Sequence, residues 1–244
     1  MPAAERTVVV VPTYDERENL PRIVAAIFEA QPDVDLLVVD DASPDGTGKL
    51  ADALAAADRR VTVLHRAGKQ GLGRAYLHAF AHVLAAPAGY THIVQIDADL
   101  SHDPRAIATL RQACRDGADL ALGSRWIPGG GAPDWPLRRR LLSRGGSRYA
   151  SIVLGADIRD LTGGFKCWTR RALEALPLGD VVAAGYAFQI EMTVRALRLG
   201  CNVVELPITF TDRTLGASKM SGAIVREAVL GVWRLRGLPR RARP

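Results

Sequence analysis

A chain of 244 residues, 48% hydrophobic and with a net charge of +6, has enough apolar material for one large domain or two small ones, and this excludes a disordered protein. Cys114, Cys167 and Cys201 are odd in number and lack C-x-x-C spacing, which argues against a disulfide framework or a zinc site and fits a reducing compartment. Arg138, Arg139, Arg140, Arg144 and Arg148 cluster in one stretch and Arg234, Arg236, Arg240, Arg241 and Arg243 in another, leaving the rest of the chain acidic; this excludes an evenly basic nucleic-acid binder and points to an anionic surface or phosphate ligand at defined places.

Met1 to Arg6 has no basic-then-apolar leader and runs directly into Thr7 to Val11, a β-branched run closed by Pro12 that reads as a central parallel strand. No apolar run approaches the roughly 20 residues of a membrane span, so the chain is expected in the cytosol. After a loop, Asn19 is a cap candidate and Pro21 sits in the first turn of a helix with an apolar face at Ile23, Ile27 and Ala30. Asp35 to Val39 is the second strand. Turn formers from Asp40 to Thr47 precede a helix through about Asp58, and Val61 to Leu64 is the third strand. Gly68, Gly71 and Gly73 then open a helix and permit close backbone approach to its amino end. Neither a dinucleotide fingerprint nor a P-loop is present. His78 and His82 on that helix have metal-ligand spacing but no nearby third ligand, and read better as part of an amphipathic helix face.

The fourth strand, 92 to 96, ends in Asp97-Ala98-Asp99. Residues at i and i+2 of an extended chain point to the same side, so both carboxylates can face one hard divalent cation at the strand's carboxyl end. An ordinary acidic turn gives the same letters. Ser101 to Pro104 signals a cap and a helix through Asp116, followed by strand Leu120 to Gly123. This alternation is the signature of a doubly wound, mostly parallel α/β sheet with helices on both faces. Beyond it, Ile127 to Pro136 reads as a mobile Gly- and Pro-rich loop, Leu137 to Leu154 as a basic helix, Asp160 to Phe165 as a turn and Gly185 to Leu199 as a helix. Val203 to Phe210 reads as a late strand that Pro207 assigns to an edge.

Nine stretches in this order resemble the family 2 glycosyltransferases of GT-A fold, and within them the polyprenol- or dolichol-phosphate mannose synthases: VPTYDERENL (11–20), VVDDASPDGT (38–47), GLGRAY (71–76), DADLSHDP (97–104), GSRW (123–126), WPLRRRLLSR (135–144), DLTGGF (160–165), GYAFQIEM (185–192) and DRTLGASK (212–219). The resemblance spans Val8 to about Trp233. It implies one Rossmann-like GT-A domain, with a nucleotide-sugar half at about 7–125, an acceptor half at about 126–220 and an amphipathic basic segment at 221–244. It further implies transfer of mannose from GDP-mannose to a polyprenyl phosphate with inversion.

By the same resemblance, Pro12, Tyr14, Glu16, Val39 and Asp41 hold the base and ribose, and Asp97, Ala98 and Asp99 line the diphosphate. Asp97 and Asp99 would carry Mg2+ or Mn2+. Some relatives place Gln where this chain has Ser101, whose hydroxyl is a shorter and weaker ligand acting directly or through water. Arg125, Arg139, Arg213 and Lys219 match phosphate-contacting positions, and Ser143 lies one helical turn from Arg139. Glu191 either orients the sugar or acceptor loop or is a plain surface carboxylate.

The lipid tail calls for an interfacial surface. Trp135, Leu137, Leu141 and Leu142 beside Arg138 to Arg140 suit a helix lying among anionic headgroups. Ile224, Val225, Ala228, Val229, Val232 and Trp233 repeat the pattern, or form a last core helix with a solvated tail. Peripheral attachment at the cytoplasmic face, or a separate membrane partner, follows. The competing readings are a glucosyltransferase using UDP-glucose and a non-catalytic, membrane-docked nucleotide-sugar-binding protein; a nucleic-acid partner is not expected.

Overall fold

The computed structural model describes residues 5–183, 185, 187–212 and 231–238. The first five strands and four helices alternate as the patterning predicts: β1 (Thr7–Thr13), α1 (Leu20–Ala30), β2 (Asp35–Asp40), α2 (Thr47–Ala57), β3 (Val61–His65), α3 (Leu72–Ala85), β4 (His92–Gln95), α4 (Ala106–Arg115) and β5 (Leu120–Ser124). Then follow α5 (Leu137–Leu154), β6 (Lys166–Thr169), α6 (Arg170–Ala175), α7 (Ala187–Arg198) and β7 (Val203–Pro207).

The uninterrupted valines of β1 serve two core layers, because successive strand side chains point to opposite faces. Val9 and Val11 pack with Ile23, Ile27, Ile107 and Leu110; Val8 and Val10 pack on the other side with Tyr76, Phe80, Trp168 and Phe188. Each such side chain contributes about 1.5–3 kcal/mol on burial.

All seven strands form one sheet in the order β3-β2-β1-β4-β6-β5-β7. β6 runs antiparallel to both neighbours, β4 and β5, whereas the other pairs are parallel. Two reversals cancel, so β1, β2, β4 and β5 all present their carboxyl ends at one edge, where β6 begins. β7 lies at the outer edge, as Pro207 requires. The sequence reading contains no strand at β6. It is four residues long and begins with Lys166, a residue type that ordinarily reads as surface, yet Lys166 is fully buried in register with Gln95.

Three local expectations are corrected. Asn19 precedes α1 but makes no capping bond; its backbone is already helical, and its Nδ2 donates to Glu16 Oε2 at 2.8 Å. Ser101 likewise serves Asp99 and no helix end. The 127–136 segment is anchored, not loose: Gly131 N donates to Ile208 O at 3.0 Å and Phe210 N to Gly131 O at 2.8 Å. A Cβ on Gly130 would lie 2.4 Å from Ser124 O, so that glycine serves close packing.

Helix α5 has the expected bounds and ends at Gly155 in the left-handed conformation. In the helical segment at 231–236, Val232 and Leu235 are buried with Leu154, Ile190 and Val194, while Trp233 is exposed. The described part of the carboxyl-terminal stripe is therefore core on one side; Ile224, Val225, Ala228 and Val229 lie outside the described residues. No helix among the described residues is long and apolar enough to cross a membrane.

Burial pushes the Lys166 ammonium down to about 7 from an ordinary 10.5. The unfolded chain holds that proton until near 10.5, so unfolding takes up a proton between those values and stability rises with pH across that window. In urea titrations from pH 7 to 9, the parent chain should gain stability relative to Lys166→Met by on the order of 1 kcal/mol per pH unit. Parallel curves for the two proteins would refute a shifted lysine.

Candidate functional site

The shared strand edge is where the backbone is least relaxed. Among the described residues, the non-glycine residues with positive φ are Asp15, Ala42 and Leu100, at 55°, 54° and 60°. They lie in the loops leaving β1, β2 and β4, and such conformations cost on the order of 1 to 3 kcal/mol each, as is common where a loop must hold a functional geometry.

Asp97 and Asp99 differ in their surroundings. Asp99 is buried and accepts from Ser101 N at 3.1 Å and Ser101 Oγ at 2.5 Å, in the turn bent at Leu100. Ser101 thus orients Asp99 through its proton. Asp97 is about a third exposed, with His102 Nε2 3.7 Å from its Oδ2. His102 is itself buried between Phe165 and Phe210, with ring centroids at 5.0 and 4.9 Å, and its Nδ1 has no hydrogen-bond partner among the described residues. In the sequence, His102 stands only within a helix-start signal. Ala98 is buried between the two carboxylates.

Arg125 follows β5 and is buried, as is its partner Asp160. Its Nε and Nη2 donate to the two carboxylate oxygens at 2.7 and 2.8 Å, its backbone N donates to Oδ2 at 3.0 Å, and Nη2 also reaches Thr162 Oγ1 at 2.9 Å. Burial alone would raise the Asp160 carboxyl; the Arg125 guanidinium overrides it and holds the group below the ordinary carboxylate range. Three rings surround the guanidinium: Trp126 and Trp135 at 5.4 Å and Phe210 at 5.5 Å.

Trp135 joins this pair to the basic helix. Its ring lies 5.1 Å from Phe210 and 3.9 Å from the Arg139 guanidinium carbon. Arg139 also pairs with Asp212 at 3.1 Å. The expected interfacial role for Trp135 is therefore corrected, since it is buried, whereas Leu137, Leu141 and Leu142 are 65%, 61% and 59% exposed. Half-buried Ser143 continues the inner stripe of α5 toward buried Ser147, which bonds Thr162 at 3.1 Å and Asp160 at 3.4 Å.

The residues expected to hold the nucleoside sit on the neighbouring strand ends. Pro12 is in register with Val39, which is buried. The Tyr14 ring carries Lys69 Nζ 3.8 Å from its centroid. Glu16 N donates to Thr47 Oγ1 at 3.0 Å. Asp41 is buried against Arg66, whose Nη1 donates to it, and Gln70 N approaches at 3.4 Å. Arg213 and Lys219 lie outside the described residues. Glu191 is a buried loop clamp, not a surface carboxylate: it pairs with Arg195 at 2.7 Å and accepts from Ala183 N at 2.9 Å.

A carboxylate-bearing strand edge, the neighbouring margin of β1 and β2, and a basic helix joined to them through edge-on aromatic contacts thus lie together at one edge of the sheet. The chain belongs to glycosyl transferase family 2, whose pattern it matches over residues 8–176. It is 51% identical to the polyprenol monophosphomannose synthase of Mycolicibacterium smegmatis, over 98% of this chain and 91% of that protein. It is 48% identical to the undecaprenyl-phosphate mannosyltransferase of Micrococcus luteus, over 94% of this chain and 93% of that one. In fold it is similar to glucosyl-3-phosphoglycerate synthase from Mycobacterium tuberculosis, solved with Mn2+, UDP and phosphoglyceric acid, with a TM-score of 0.72 at 19% identity, covering 97% of this chain and 80% of that one. It is also similar to a mannosyltransferase from Pyrobaculum calidifontis, solved with GDP-Man and Mn2+, with a TM-score of 0.63 at 19% identity, covering 94% and 63%. The fold is thus GT-A.

Removing one partner of the buried pair leaves an uncompensated charge. Asp160→Ala should cost about 3–5 kcal/mol of stability, and the double variant Asp160→Leu with Arg125→Met should recover most of it. Denaturant midpoints of the three proteins measure this; an Asp160→Ala protein as stable as the parent would show that the pair does not hold the site.

Proposed function

We propose that the chain transfers mannose from GDP-mannose to a polyprenyl phosphate with inversion, releasing GDP and leaving a β-linked mannosyl phosphate. One observation carries the reading: two relatives near 50% identity, matched over almost their whole length, are both named for mannosyl transfer to, or synthesis on, a polyprenyl carrier. The site's chemistry supports it.

A lipid phosphate carries about −1.5 to −2 charge near neutral pH and is already a nucleophile, so the reaction needs no general base. It needs help for the departing nucleoside diphosphate and for the approach of two anions. Asp97, Asp99 and the Ser101 hydroxyl are hard oxygen donors suited to Mg2+ or Mn2+. Among the described residues, no group of three or more His, Cys, Asp or Glu side chains is placed to hold a metal. Asp97 and Asp99 would be the carboxylates that hold such a cation, with Ser101 positioning Asp99. When bound, the cation supplies charge neutralisation for the leaving diphosphate.

The chain's own residues divide the remaining work. Pro12, Tyr14, Glu16, Val39 and Asp41 bind base and ribose, with the Asp41–Arg66 pair fixing the β2 margin. Arg125, held rigid by Asp160, serves the phosphates, and Arg213 and Lys219, outside the described residues, are assigned the same role by the family resemblance. Arg139 and Ser143 receive the acceptor phosphate, with Trp135 beneath Arg139. Leu137, Leu141 and Leu142 enter the headgroup region, flanked by exposed Arg138 and Arg140, and this seats the enzyme peripherally on a cytoplasmic membrane face, with or without a membrane-embedded partner. A nucleotide-sugar half, an acceptor half and a basic carboxyl-terminal segment are the corresponding division of the chain.

The deciding assay combines purified protein with GDP-mannose or UDP-glucose, polyprenyl phosphate, and Mg2+, Mn2+ or chelator. Mannose transfer that chelator abolishes is expected; glucose transfer alone would overturn the donor assignment. Asp99→Ala should lose metal-dependent transfer at least a hundredfold, on the scale of about 3 kcal/mol for a group serving the leaving charge, and a melting curve separates this from the roughly 1–3 kcal/mol of stability lost with its two bonds from Ser101. Transfer at the parent rate would place the metal elsewhere.

Arg138→Gln with Arg140→Gln should weaken binding to anionic vesicles by about 1 kcal/mol per charge removed, and less at high salt. Flotation with vesicles of defined anionic content measures it. Unchanged binding would mean that α5 is not the docking face.

A further inference from the structure

Lys166 opens β6 at the site edge with its side chain fully buried. Its Nζ donates to the backbone O of Gln189 and to Gln189 Oε1, both at 2.8 Å. Charged or neutral, the amine has N–H bonds to give to those two oxygens, and this selects one orientation of the carboxamide: Oε1 toward Lys166 and Nε2 away from it. Nε2 is buried and has no hydrogen-bond partner among the described residues. A buried amide donor in that condition costs about 1 to 3 kcal/mol, and flipping the amide would only set N–H against N–H at Lys166. The lysine therefore imposes the unpaired donor on the site.

Gly164 borders that donor. A Cβ built on Gly164 would lie 3.5 Å from Gln189 Nε2 and 3.8 and 3.9 Å from the two carboxylate oxygens of Asp97. The glycine thus leaves a small polar recess with an amide donor on one wall and a carboxylate acceptor on another. A phosphate oxygen only accepts and, with no cation between them, would meet the carboxylate unfavourably. A sugar hydroxyl both gives and accepts a proton and satisfies both walls.

We propose that Gln189, oriented by Lys166, reads the transferred sugar, its Nε2 donating to a hydroxyl oxygen of the hexose while Asp97 accepts from the hexose, an inference that rests on the nucleotide-sugar reading above. Gln189 touches the substrate; Lys166 is a positioning residue. Neither belongs to the nucleoside margin on β1 and β2, so the pair acts on the sugar and not on the nucleotide.

The test is calorimetric titration of GDP and of GDP-mannose, each with Mn2+, into the parent and three variants. Gln189→Glu keeps the shape and an oxygen for Lys166 but replaces the donor by an acceptor; Gln189→Met removes the donor without charge; Lys166→Met frees the amide to turn. The advantage of GDP-mannose over GDP should shrink roughly tenfold in Gln189→Glu, and in the same direction but less in the other two, with GDP affinity kept within about twofold throughout. Adding Lys166→Met to Gln189→Met should change that advantage no further. Melting curves report folding, and Gln189→Glu retains a partner for the lysine and should fold even if Gln189→Met does not. Parallel loss of GDP and GDP-mannose, or no change in either, overturns the proposal. If the parent prefers UDP-glucose, the donor reading fails, and the same comparison of UDP with UDP-glucose decides the role of Gln189. A parent that binds no nucleotide sugar overturns both.

Discussion

Arg125 and Asp160 are removed from water together, and the site is assembled around that fact. Dehydrating two ions is expensive, and their attraction offsets the cost only when the geometry is good and the remaining polar atoms are satisfied. Here the contact is bidentate, the Arg125 backbone N joins it, and Thr162 and Ser147 complete the shell. Each partner comes from a different part of the fold: Arg125 from the end of β5, Asp160 and Thr162 from the turn that feeds β6, and Ser147 from α5. Glu205 of β7 accepts from Asp160 N at 2.9 Å and from Arg159 N at 2.8 Å, so the outer sheet edge holds the same turn. A guanidinium held this way has little conformational freedom left to lose, which is what the phosphate-binding role proposed above would draw on.

The reversed strand β6 gives the edge its second property. Because β6 starts where β1, β2, β4 and β5 end, the turn at 160–165 and the amino end of α7 are brought to the same margin as Asp97. Gly164 then lies against both Asp97 and Gln189, and buried Lys166 stands directly behind. A parallel strand in this position would deliver its carboxyl end here and send Lys166 to the opposite margin. The cost is a buried amine whose hydrogen bonds, among the described residues, go to the backbone and side-chain oxygens of Gln189 and not to a carboxylate.

Helix α5 works with two faces. Its inner stripe, Arg139, Ser143 and Ser147, turns toward the Arg125–Asp160 pair and toward Asp212, whereas Leu137, Leu141 and Leu142 point outward with Arg138 and Arg140. Trp135 anchors the start of the helix by lying under Arg139 and meeting Phe210 edge-on, and the Phe210 backbone bridges to His102. One chain of contacts thus runs from Asp97 through His102, Phe210 and Trp135 to Arg139. It links the carboxylates to the start of the basic helix.

Much of this was legible in the chain itself. The period-2 and period-3.6 patterns located the first five strands and the long helices because burial on one or two faces writes directly into residue order. Proline at 207 declared an edge strand because an imide cannot serve a central ladder, and the acidic pair after β4 was legible as a candidate site because it falls at the carboxyl end of a buried strand. What stayed hidden depended on partners distant in sequence. A lysine at 166 reads as surface until the sheet reverses around it. An acid at 160 reads as a turn residue until Arg125 meets it 35 residues away. Trp135 reads as a membrane anchor until Phe210 and Arg139 close over it, and His102 as a helix start until Asp97 turns toward it. Residue order alone determines which segments have a buried face and where the carboxylates fall along the strands. Which buried charge finds which counter-charge was decided only by the tertiary structure, because the free energy of an ion or a polar donor in the interior is set by neighbours that local sequence does not specify.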